Sequence, residues 1–274
     1  MQVLQPMTDE QLIRMVPAIG AERPAERVSG IYKQVRTIEV VDILRDQGWM
    51  PVMASAPRVR SLERGRFCKH MIKFQRETNI MQADDERIQL LLTNSHDAGS
   101  CYHVMLGVFR MICGNGMVVM SSSFQDIRIR HVGFDPKEIV KASARVGEAG
   151  KLVSERVGDM RNVNLLQAEQ VALSESAAML LFGQEELKSH QVDFNSMELN
   201  EPWRTQDKGD DLWHTFNRIQ ENVTKGGIPY YRHNQENFLH TRSKLRPVKS
   251  IDRDIRLNQA LWALAEKMLE LKTK

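Results

Sequence analysis

"LLLTNSHDAGSCYHVMLGVFRMICGNGMVV" (Leu90–Val119) decides the fold. It continues a pattern that starts at Arg87, in which Ile88, Leu90 and Leu92 share one parity, the period of a strand with a buried face. His96–Gly99 are turn formers. Asp97 can cap a turn and Gly99 can take a positive φ, so a short hairpin is expected. Ser100–Leu106 then sets Tyr102, Val104 and Leu106 against Cys101, His103 and Met105, a pattern that fits a strand or a helix from Ser100. Gly114 and Gly116 around Asn115 place a sharp turn there.

Outward from this stretch, Cys68, Ile72 and Phe74 share a parity, with His70 on their apolar side and Lys69 and Lys73 on the other. Phe124–Val132 reads as a further strand, Ile127 and Ile129 inward, Arg128 and Arg130 outward. The helices have clear punctuation. A short amphipathic one covers Asp9–Met15. Another carries Ile38, Val41 and Leu44, with Thr37 as N-cap and Gly48 as its stop. The longest has Asp135 as N-cap, Pro136 at the first helical position and Glu138 completing a capping box, followed by the stripe Ile139, Val146, Val153, Met160. Helices over Leu165–Phe182 and before Gly226 come next, and a closing helix puts Leu257, Leu261, Leu264, Met268 and Leu271 on one stripe. Between the last two, Arg232–Ser250 lacks apolar periodicity and reads as a mobile basic loop. Across Lys225–Lys249 the aromatics Tyr230, Tyr231 and Phe238, interleaved with Arg232, Arg242, Lys244, Arg246 and Lys249, suit stacking on single-strand bases or packing on the domain.

Strands first and helices later indicate an α+β fold, an antiparallel sheet with a hairpin packed by long helices. The expected organisation is a leader over 1–29, a core domain over 30–190, and a linker, basic loop and C-terminal helices over 191–274 that pack on the core.

With 274 residues, 42% hydrophobic and 27% charged, the composition is ordinary for a globular protein, and a net charge of +3 makes the distribution of charge matter more than its sum. Cys68, Cys101 and Cys113 form no CxxC pair, which argues against a disulfide framework or zinc ribbon and suits the cytoplasm. The first twenty residues do not read as a signal peptide, and no apolar run reaches the roughly 18 residues of a membrane span.

Chemistry has two candidate seats. His96, Asp97 and His103 could ligate a metal or move protons, with Cys113 as a nucleophile. No HExxH, carboxylate dyad or phosphate-binding loop accompanies them. The structural reading ranks first: His96, Asp97, Gly99, Arg110 and Asn115 shape turns, with no catalytic residue, metal or cofactor assigned. The second seat is basic. Arg58, Arg60, Arg64, Arg66, Lys69, Lys73 and Arg76 stand against Glu63 alone, and Arg128 and Arg130 add a further strand. If those strands are neighbours, one sheet surface could follow a phosphate backbone, a reading held level with a merely solvated face.

The blocks "LTNSHDAGS", "FRMICGNGMVV", "DLWHTFNRIQENVTKGG" and "DRDIRLNQALWALAE", together with "YKQVRTIEVVDILRDQGWMPV", resemble the phage/plasmid-like family known as domain of unknown function 932, over nearly the whole chain from Tyr32 to Glu266. The departure is Ala98, where the family pattern leads one to expect a Gly. The resemblance implies a mobile-element protein and a strand over Ser100–Leu106, since relatives place a Pro there. The element order is similar to the core of single-strand annealing recombinases, an architectural likeness alone. The function so implied is single-stranded DNA binding by a homo-oligomer that promotes annealing, with no membrane partner. The alternative is an enzyme, a nuclease or anti-defence activity, at the His96/Asp97/His103/Cys113 neighbourhood.

Overall fold

A computed structural model describes residues 5–26, 28, 34–80, 86–110, 115–119, 127–233 and 240–274, with backbone alone at 77–80, 109 and 115–119. The fold is α+β. The chain divides into two compact units, Met1–Ser154 and Glu155–Lys274.

The first unit is built on a six-stranded antiparallel sheet. Its strands are β1 (Met50–Ser55), β2 (His70–Ile80), β3 (Glu86–Asn94), β4 (Tyr102–Arg110), β5 (Asn115–Val119) and β6 (Ile127–Ile129). They run in the order β1-β2-β3-β4-β5, and β6 also pairs with β4. The decisive stretch is therefore the β3–β4 hairpin, in the register Ile88↔Val108, Leu90↔Leu106, Leu92↔Val104. Within Ser100–Leu106 the chain is strand from Tyr102 onward, as the resemblance implied. Because directly paired residues share a face, Ile72, Phe74, Leu90, Leu92, Val104 and Ile129 form one buried surface. Helix α2 (Thr37–Asp46) contributes buried Val40, Val41 and Leu44, and helix α4 (Pro136–Arg161) contributes Ile139 and Val146. Asp135 caps α4 by accepting from the Lys137 N–H at 2.9 Å. The approach of α4 to β3 demands Gly150, where a Cβ would lie 3.0 Å from Ile88 Cγ2.

The residues expected as a leader are part of this unit. Thr8 and Gln11 cap α1 (Asp9–Met15) reciprocally, Leu12 is buried, and Asp9 pairs with Arg45 of α2 at 2.7 Å. The Met7 N–H donates to the Pro51 carbonyl of β1 at 2.8 Å. β1 is the edge strand on the β2 side of the sheet, carrying Pro51 and a register shift between Pro51 and Met53.

Three local expectations are corrected. Thr37 is not the N-cap of α2; Arg36 is, and the Thr37 hydroxyl is engaged elsewhere. Lys73 does not face solvent. Met53 and Leu91 flank it in the ladder, Met105 follows Leu91, and Met71, Leu91 and Met105 are themselves buried, so this sheet is covered on both faces and Lys73 is only 9% exposed. In the hairpin turn, the Gly99 N–H donates to Asp97 Oδ1 at 3.0 Å, but the positive φ falls on Ala98, at 60°.

The second unit gathers α5 (Gln167–Phe182), α6 (Gln184–Lys188), α7 (Leu212–Lys225) and α8 (Ile251–Lys272) with a small sheet, β7 (Val192–Asp193), β8 (Pro229–His233) and β9 (His240–Lys244), in the order β7-β8-β9. The boundary expected at residue 190 is not where this unit starts. α5 already belongs to it: Glu169 pairs with Lys272 of α8 at 3.0 Å, and Gln170 accepts from Asn200 at 2.8 Å. At its core Trp213 stacks on Phe216, with ring centroids 5.6 Å apart, and Trp262 stands edge-on to both. Trp262 sets the rotation of α8. The buried face is Ile251, Ile255, Leu257, Asn258, Leu261, Trp262, Ala265 and Leu269, so Leu257 and Leu261 of the expected stripe are buried, whereas Leu271 is 62% exposed. The segment expected as a mobile basic loop contributes the end of β8 and all of β9, which pair from Pro229↔Lys244 to His233↔His240. Hydrogen bonds from Gly227 to Leu245 and from Leu245 to Ile228, each 2.8 Å, close its base. Gly226 is required there, because a Cβ would lie 2.6 Å from the Leu245 carbonyl oxygen.

The turn yields the first prediction. A left-handed conformation costs a non-glycine residue about 1–2 kcal/mol, partly offset by the greater unfolded-state freedom of glycine. Ala98→Gly is expected to stabilise the protein by about 0.5–1 kcal/mol, read as a higher denaturation midpoint with an unchanged m-value.

Candidate functional site

The core face of the first unit's sheet ends in polar residues. His70 and Asn94 are cross-strand partners on β2 and β3, His96 follows β3, and His131 follows β6. All four are buried, as is Thr37 at the start of α2. Thr37 Oγ1 lies 3.0 Å from both His70 Nε2 and His96 Nε2, and accepts from Asn94 Nδ2 at 3.3 Å. His131 Nε2 reaches Asn94 Oδ1 at 2.9 Å, and Gln34 Nε2 reaches His96 Nδ1 at 3.3 Å and the Ala21 carbonyl at 2.8 Å.

The donors can be assigned from one end. His70 Nδ1 faces the Cys68 carbonyl at 3.1 Å, which only accepts, so Nδ1 carries the proton and Nε2 accepts from the Thr37 hydroxyl. Having donated, Thr37 accepts from His96 Nε2–H and from Asn94. That leaves His96 Nδ1 to accept from Gln34. The Asn94 oxygen accepts from His131 Nε2–H. Each bond in the chain is satisfied with neutral imidazoles. Burial pushes His70 down to about 4. Burial, then the neighbouring His70 and His131, push His96 down to about 3, against the opposing pull of Asp97. His131 is lowered by burial too, the Ser100 backbone opposing.

His96 is also held through its backbone, its N–H donating to the Phe67 carbonyl and its carbonyl accepting from Ala25, each at 3.0 Å. Phe67 and Ala21 line an outer cleft of about 600 Å³ with Arg66, Arg23 and Glu63, but the His96 side chain is fully buried and does not open into it. His96 and His103 are not brought together. His103 pairs with Thr93 and Arg128, on the sheet face opposite His70 and Asn94. Cys113 lies outside the described residues. The Cys68 thiol is pushed up by burial, with Asp97 adding to the effect, the reverse of what an activated thiolate needs. Arg110 is buried opposite Glu86 and Asn115 in the ladders, so Asn115 begins a strand instead of occupying the turn. Among the described residues, no three His, Cys, Asp or Glu are placed to hold a metal.

Of the expected basic set, Arg58, Arg60, Arg64 and Arg66 are exposed around the single helical turn α3 (Leu62–Gly65), which Ser61 caps by accepting from the Arg64 N–H. Arg128 and Arg130 are exposed as well, while Lys69 is half-buried. Two intervening strands separate β2 from β6, so with Lys73 covered the continuous sheet stripe does not form. Sequence reasoning missed the hub role of Thr37 and missed Asn94 and His131. The available signal was a polar residue on core parity: Asn94 continues Ile88, Leu90 and Leu92, as His70 continues Ile72 and Phe74.

These features define a class, an α+β protein whose antiparallel meander ends in a buried, neutral histidine seam beside an exposed arginine turn. The chain belongs to the family described as domain of unknown function (DUF932), whose model matches residues 24–262. It is similar to two proteins of Escherichia coli (strain K12): the UPF0380 protein YfjQ, 35% identical, and the UPF0380 protein YafZ, 36% identical. Each match covers 97% of this chain and 92% of the relative. No solved structure matches. No helix among the described residues is long and apolar enough to cross a membrane.

The seam generates two predictions. The folded pKa values of His70 and His96 lie below the ordinary 6.5, so their contribution is complete above pH 6.5 and is lost as pH falls towards 4 and 3. Unfolding is expected to take up about two protons in that window, a slope of about 3 kcal/mol per pH unit, measurable as denaturation midpoints from pH 7 to 4. Thr37→Val keeps the shape but orphans groups on both imidazoles. A loss of about 2–4 kcal/mol is expected in urea titration at pH 7.5.

Proposed function

We propose that this chain binds single-stranded DNA as a cytoplasmic, mobile-element protein that promotes annealing and acts as a homo-oligomer. The observation that carries the reading is the arginine turn. Arg58, Arg60, Arg64 and Arg66 are all exposed within nine residues, and Glu63 is the only acid among them. Arginines around a short helical turn offer planar forks to phosphate oxygens at several angles, which suits a flexible backbone better than a duplex groove. Arg128 and Arg130 supply two further exposed cations in the same unit. Annealing needs no catalytic group, only strands held with their bases accessible. That is consistent with a histidine seam occupied by its own internal hydrogen bonds.

Each phosphate contact on a single strand lowers the slope of log affinity against log salt by about 0.7. Six arginine contacts give a slope near −4. The Arg58/Arg60/Arg64/Arg66→Ala variant is expected to be shallower by about 2.8 with an unchanged melting temperature, in anisotropy titrations of a labelled oligonucleotide between 50 and 200 mM salt. Equal slopes for the two proteins, or no binding at 50 mM salt, would overturn the reading.

A further inference from the structure

We infer that the Glu155–Lys274 unit carries a base-stacking platform for single-stranded nucleic acid, made by Trp203 and Tyr231 beside a basic strand edge. The inference shares its partner class with the proposed function and lies on different residues. Three of the four tryptophans, Trp49, Trp213 and Trp262, are fully buried, whereas Trp203 is 57% exposed. It is not loosely placed. Its indole N–H donates to Asn222 Oδ1 at 2.5 Å, and the Asn222 amide donates to the Leu199 and Glu201 carbonyls, each at 2.9 Å. Asn222 is buried on α7, so the ring is held by its polar edge. Lys225 approaches the same ring at 5.7 Å from its centroid.

Trp203 and Pro229 line one groove of about 380 Å³. Pro229 opens β8, and two residues further on, about 7 Å along the strand, Tyr231 is 44% exposed on the same face. The two tyrosines of β8 divide the work. Tyr230 turns to the other face, where its ring meets Phe182 at 5.1 Å and anchors the sheet, leaving Tyr231 outward. Lys244 and Arg242 stand directly opposite Pro229 and Tyr231 on β9. With Arg246 and Lys249 they make four exposed cations in eight residues, with no acid among them. Acids border the other side: Asp193 pairs with Tyr231 from β7, and Glu198 and Glu201 line the groove. Charge therefore assigns the strand a direction, phosphates along β9 and bases over Tyr231 and Trp203. An amphipathic ligand with a polyanionic edge and flat apolar rings fits this division, and single-stranded nucleic acid supplies both.

The full-length protein tests the assignment through its own fluorescence, since Trp203 is the exposed tryptophan. Oligo(dT) is expected to quench it at 50 mM salt, and inorganic polyphosphate is expected to bind without quenching. Trp203→Ala and Tyr231→Ala should each weaken oligo(dT) binding about 5- to 100-fold, with Trp203→Phe close to the parent. Arg242/Lys244→Ala, which touches only exposed groups, should weaken both probes. Quenching that survives in the Arg58/Arg60/Arg64/Arg66→Ala variant, at unchanged affinity, would sink the arginine-turn reading and uphold this one. Absence of oligo(dT) quenching, equal quenching by polyphosphate, or full affinity in folded Trp203→Ala and Tyr231→Ala proteins would overturn the platform whatever the arginine turn does.

Discussion

The Thr37 hydroxyl is the constraint on which the first unit depends. A hydroxyl has one proton to give and two lone pairs to fill. Here it donates to His70, whose tautomer the Cys68 carbonyl sets, and accepts from His96 and Asn94. One side chain therefore passes that choice on to the tautomer of a second imidazole and the rotamer of an amide. Those groups belong to β2, the end of β3 and the turn just after it, while Thr37 itself begins α2. Helix and sheet are thus tied by bonds of fixed direction in addition to the apolar packing of Val40, Val41 and Leu44. Apolar contacts tolerate sliding; a donor–acceptor chain with every partner assigned does not.

The second unit repeats this economy with a cation. Arg218 of α7 is buried, and its guanidinium donates to Asn200 and to the Asp207 and Gly209 carbonyls, organising the turns that precede α7. Burial lowers its pKa while Asp210, Asp211 and Asp207 oppose the shift. On the same helix Glu221 is buried and pairs with Arg204 and Lys225. α7 is therefore buried on nearly every side although much of it is polar, and its polar residues hold loops. One of those residues, Asn222, fixes Trp203.

How much of this is legible in the chain depends on the range of the interaction. β3 and the turn after it can be read because period-2 alternation and an Asp–Ala–Gly turn are local, whereas alternation from Ser100 fits a strand or a helix and the strand β4 is implied by the family resemblance. The α4 stripe can be read for the same reason, and Ile139, Val146, Val153 and Met160 are all buried. The seam cannot, since Thr37 lies 33 residues from His70 and 59 from His96, and nothing near it announces a partner. Alternation misleads at Lys73 because it implies one wet face, whereas Met71, Leu91 and Met105 close that face too. The face of α8 is read correctly at Leu257 and Leu261 and drifts off it by Leu271, because leucines are counted and the much larger Trp262 is not. β8 and β9 escape detection because an exposed hairpin has no apolar period. Their stability comes from the Tyr230–Phe182 contact and the bonds around Leu245.

The edge strand has a consequence for how copies of this chain can meet. A sheet grows by exchanging main-chain hydrogen bonds across a free edge, and β1 is poorly suited to that. Pro51 lacks an N–H, its carbonyl is already engaged by Met7, and the irregularity before Met53 breaks the ladder spacing that an incoming strand must match. Continuous β-addition through this edge is disfavoured. Self-association at this end of the sheet would have to be written in side chains, where it can be made reversible and specific.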